Sequence, residues 1–71
     1  MKKLGTKKGS ELVVGDVIPA WWSSATGDVI MSFRPYVGTL ALAEGTRIAM
    51  FARCKGGMRI DADEEFDVVS P

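Results

Sequence analysis

The sequence predicts an all-β domain, built as a small, partly open barrel of five to six short strands. Three observations carry that prediction. Short β-rich runs recur with turn signals between them, as in "VVGDVI", "DVIMSFRPYVG" and "FDVV". From Val29 onward the side chains alternate, with Val29, Met31 and Phe33 on one face and Ile30, Ser32 and Arg34 on the other. Gly38, Gly45, Gly56 and Gly57 cut the one Ala- and Leu-rich stretch into short pieces, although its composition suits a helix. Closure is expected because an open sheet of this length exposes apolar edges.

Residues 1–9 are charged and Gly-containing, with Leu4 as one large apolar side chain, so a frayed basic tail is expected there. The single domain is expected to fill residues 10–71. Residues 12–14 read as a first strand, Gly15-Asp16 as a tight turn or bulge, and Val17-Ile18 as the start of the next strand. Pro19 cannot donate to a ladder, which puts this strand at an edge or interrupts it. "SSATGD" is a turn-rich loop, and Pro35 is expected to end or bend the strand that follows it.

For residues 39–55 a hairpin is preferred, with Leu40 and Leu42 on one strand and Glu44-Gly45 at the turn. Its second strand is expected to run from residue 47 to 55. Ile48, Met50, Ala52 and Cys54 would share one face, and Arg47, Ala49, Phe51, Arg53 and Lys55 the other. Gly56-Gly57 makes a further turn into Met58-Arg59-Ile60, "DADEE" makes a polar turn, and "FDVV" closes the domain by pairing with the first strand.

In this order the elements resemble SH3-like small barrels. "ELVVGDVI" and "DEEFDVV", at the two ends of residues 10–70, are also similar to segments of short phage and mobile-element proteins. The shared features are turn chemistry, so the resemblance implies a fold and transfers no active-site residue.

The chain has 71 residues, nine Lys and Arg, nine Asp and Glu, no histidine and one cysteine. A domain this small gains little net stability from its core, so self-association is a natural supplement. Neither a disulfide within the chain nor a Cys/His zinc site can form. The basic start lacks the apolar core of a signal peptide, no run is long enough to span a membrane, and a reducing cytoplasm is the expected compartment. Lys2, Lys3, Lys7 and Lys8 load one end and Asp61, Asp63, Glu64, Glu65 and Asp67 the other, which would attract if the termini meet.

Without histidine, Ser-His-Asp and Cys-His catalysis are excluded. Cys54 lies between Arg53 and Lys55, but the alternation turns its thiol to the core. "DADEE" lacks the central Gly of a calcium loop, and "KGGMR" fits no phosphate loop. No enzyme, metal or cofactor is expected. A protein partner or a second copy of the chain is expected instead, with Trp21, Trp22 and Tyr36 as contact residues; one indole should serve the core while its neighbour faces out. The alternative is a nucleic-acid surface made by Arg34, Arg47, Phe51, Arg53 and Lys55, cations for phosphate and a ring for stacking, against which the zero net charge counts.

Overall fold

The computed structural model describes residues 2–71 and is all-β, with six antiparallel strands in one sheet. The strands are β1 (Lys3–Lys8), β2 (Val17–Ser23), β3 (Val29–Ala41), β4 (Arg47–Phe51), β5 (Gly57–Ile60) and β6 (Glu65–Val69), ordered β1-β6-β2-β3-β4-β5. The edge strands β1 and β5 do not pair with each other, so the barrel does not close.

One long strand gives the sheet its shape. β3 pairs with β2 through residues up to Pro35 and with β4 from Tyr36 onward, with a bulge between Tyr36 and Gly38. Pro35 therefore bends the strand without ending it. It stands where the partner changes, so its missing N–H costs no ladder bond, while its carbonyl accepts the Ala52 amide at 3.0 Å.

Inside the bend lies the core of Leu12, Ile18, Ala20, Tyr36, Ala49, Phe51, Ile60, Phe66 and Val68, with Cys54 and Met58 packed against it. Tyr36 is buried, and its hydroxyl reaches the exposed Thr39 Oγ1 in a part-buried hydrogen bond, so the phenol has a polar partner.

Three expectations are corrected at the N-terminal end. Residues 3–8 are a strand and not a frayed tail; Met1 lies outside the described residues. This strand pairs with β6 from Lys3↔Val69 to Lys8↔Glu65, although its side chains are mostly exposed. Backbone pairing holds it, with a surface ion pair of Lys3 and Asp67 at 3.2 Å.

Residues 12–14 are not a strand. They follow a 3₁₀ turn (Gly9–Glu11), with Leu12 in the core and Val13 and Val14 exposed. β6 consequently closes against β1, and against β2 through Val17↔Val69. The charged ends do meet, and Gly9 and Ser10 donate their amides to the carbonyls of Glu64 and Ala62.

The Gly15-Asp16 turn forms as expected. Gly15 has φ +103°, a conformation that side chains disfavour. Gly15 N–H donates to the Tyr36 carbonyl, and Tyr36 N–H donates to the Asp16 carbonyl at 2.7 Å. Two residues thus face one, and the turn extends the β2–β3 ladder to the bend of β3. The Asp16 amide closes the turn onto Val13, whose own amide donates to Asp16 Oδ2 at 2.9 Å.

Candidate protein-contact site

β2 outruns the core. Val17, Ile18 and Ala20 are buried, whereas Trp21, Trp22 and Ser23 are exposed. Trp21 keeps 54% and Trp22 39% of its surface accessible. The expectation that one indole enters the core is therefore corrected: alternation does put them on opposite faces, but at the end of a projecting hairpin both faces meet solvent.

Their cross-strand partners are apolar as well, Met31 opposite Trp21 and Ile30 opposite Trp22, with Val29 beside Ser23. All three are exposed. A projecting hairpin with large apolar side chains on both faces is poorly explained by the needs of the core.

The connecting loop, residues 24–28, does not cover the indoles. Its polar groups satisfy one another: Ser24 N–H donates to the Asp28 carbonyl, Asp28 N–H to Ser24 Oγ, and the Thr26 hydroxyl to Asp28 Oδ2 at 3.0 Å. Trp22 instead meets the Arg34 guanidinium, 5.6 Å from its ring centroid, while Arg34 Nε donates to Ser32 Oγ.

A cleft of about 400 Å³ opens beside the hairpin. Ala20, Trp21, Trp22 and Ser23 form one wall, and Phe51 and residues 54–58 the other. Lys55 is the one charged side chain in this lining.

The remaining candidates separate. Tyr36 belongs to the core at 6% exposure and offers no contact surface. Phe51, 5% exposed, points inward with Ala49, while Ile48 and Met50 are only partly buried, so the expected faces of β4 are reversed. β4 also ends at Phe51; Arg53 sits in the following turn with φ +59°, and Cys54 is half-buried there. Arg47 begins β4 and is exposed. The structure thus brings Lys55 and Arg34 to the indoles, while the Phe51 ring is buried and leaves no exposed ring among these five residues.

The fold and this surface define a small, open-edged β domain with an apolar projecting hairpin. The chain matches no family model, no curated protein and no solved structure. No helix among the described residues is long and apolar enough to cross a membrane.

Proposed function

We propose that this domain is a non-enzymatic interaction module of the SH3-like small-barrel kind, working in the cytoplasm and contacting another protein chain through the end of the β2–β3 hairpin. One observation carries the reading: Trp21, Trp22, Ile30 and Met31 are all exposed at one projecting end. Clustered exposed aromatic and aliphatic side chains favour protein contacts, and tryptophan is enriched among residues that dominate binding energy. The resemblance to short phage and mobile-element proteins suits a small accessory role.

The test is sedimentation across a concentration series with acrylamide quenching of the two indoles. Self-association that Trp21→Ser or Trp22→Ser abolishes supports contact with a second copy, and a monomer with strongly quenched indoles supports a different partner. A monomer with weakly quenched indoles contradicts the proposal.

A second reading has one observation in its favour, the Arg34 guanidinium over Trp22 with Lys55 in the neighbouring cleft. Cations beside an exposed ring suit single-stranded nucleic acid. That reading requires oligonucleotide binding that falls steeply with salt, and no binding at low salt ends it.

A further inference from the structure

The cleft beside the hairpin lies along an unpaired strand edge. β2 pairs with β3 along its whole length, but with β6 only through Val17. At the two ends of the β2–β3 ladder, Tyr36 N–H donates to the Asp16 carbonyl and Ser24 N–H to the Asp28 carbonyl. Hydrogen-bonded pairs alternate along an antiparallel ladder, so the even-numbered residues of β2 face β3. Pro19, Trp21 and Ser23 therefore turn their backbone groups outward. The Trp21 amide confirms the direction, since it donates across the cleft to the Met58 sulfur at 3.5 Å.

Each feature of this edge suits an added strand. Pro19, which has no N–H to offer, bounds it on the core side. Trp21 and Ser23 present two donors and two acceptors at strand spacing. The thioether of Met58 is a weak acceptor on an unbranched, adaptable side chain, and a peptide carbonyl is the better partner for the Trp21 amide. The opposite wall is set by β5, itself an edge strand. Lys55 adds a single positive charge to the lining.

We infer that the edge of β2 at Trp21 and Ser23 takes an extended peptide segment of a partner protein as an added strand, with apolar side chains against the indoles and a carboxylate near Lys55. This rests on the contact function proposed above and names the chemistry of the partner. The acidic turn of the chain itself is not free to serve, because its carbonyls already hold Gly9 and Ser10. Backbone pairing would give affinity, and the indoles and Lys55 would select side chains.

The test uses the intact domain, labelled with ¹⁵N, and blocked hexapeptides of alternating valine and threonine with one aspartate placed at each position in turn. Binding should shift the Trp21 and Ser23 amides and slow their hydrogen exchange at least tenfold. N-methylation of the peptide residues that face β2 should abolish it, and N-methylation of the alternate residues should not. Ser23→Pro, which removes an outward donor and spares the β3 ladder, should weaken binding about tenfold. Lys55→Glu should reverse the preference from aspartate to lysine peptides.

No binding by millimolar peptide overturns the inference, as does a dimer that pairs through the same edge. Binding that moves the indole ring signals but ignores N-methylation and Ser23→Pro overturns it too. In that last case contact through the hairpin end survives without strand addition, whereas binding indifferent to Trp21→Ser and Trp22→Ser contradicts both.

Discussion

The Lys7 ammonium stands 2.9 Å from Asp16 Oδ2, the oxygen that also accepts the Val13 amide. Strand β1, the Gly15-Asp16 turn and, through the Asp16 carbonyl, the bend of β3 at Tyr36 are thereby tied together. Burial pushes the Asp16 carboxyl up, but the Val13 amide and Lys7 together hold it below its ordinary value of 3.8.

Stability should follow that shift. A carboxyl depressed in the folded state contributes fully above its unfolded value, and loses the contribution as pH falls from 3.8 through the lower folded value. Asp16→Asn should cost about 1 kcal/mol at pH 7, a figure kept small because Lys7 is partly solvated. Urea midpoints at pH 7 and pH 3 check this: the difference between variant and parent should shrink at the lower pH.

Gly9 is required by a close approach. A Cβ built there would lie 2.3 Å from the Asp61 carbonyl oxygen, so the 3₁₀ turn or the acidic turn must shift. Gly9→Ala should destabilise by about 1–3 kcal/mol, the range for forced overpacking. Gly5→Ala, whose Cβ would meet nothing within 4 Å, is the matched control. Denaturant midpoints of the two variants should differ clearly.

Phe51 distinguishes a core from a surface role. As a core residue its replacement by Ala should cost about 3–5 kcal/mol, enough to leave so small a domain largely unfolded. Circular dichroism and amide dispersion check it. A well-folded Phe51→Ala protein would place the ring outside the core.

The hairpin end should behave in the opposite way. Trp21→Ser should change stability by no more than about 1 kcal/mol, since the indole is more than half exposed. Emission from both indoles should be red-shifted and efficiently quenched in the monomer. Chemical denaturation and fluorescence on the single-tryptophan variants measure both.

How far these features could be read from residues alone depended on what kind of force fixes each. Turns carry their own chemistry, so "VVGD" and "EG" located two reversals, whereas the β4–β5 turn begins at residue 52, ahead of the expected Gly56-Gly57. Alternation marked β4 but could not say which face is inner, because Ile48 and Met50 match Ala49 and Phe51 in apolar character. Only packing against Tyr36 and Ile60 decides it. β1 left no hydropathy signal, since pairing with β6 and not burial of "KLGTKK" orders it. Val13 and Val14 gave a false one, being β-branched residues spent on a turn. The two tryptophans were visible as candidates, but their joint exposure depends on where the core stops along β2. The open edge beside them had one local sign, the proline at its inner end.

Amide hydrogen exchange along β2 tests the open edge most directly. Ala20 and Trp22, bonded to β3, should exchange slowly, while Trp21 and Ser23 should exchange at least tenfold faster in the free monomer. Equal protection at all four amides would mean that the edge is already paired, and would contradict a contact site there.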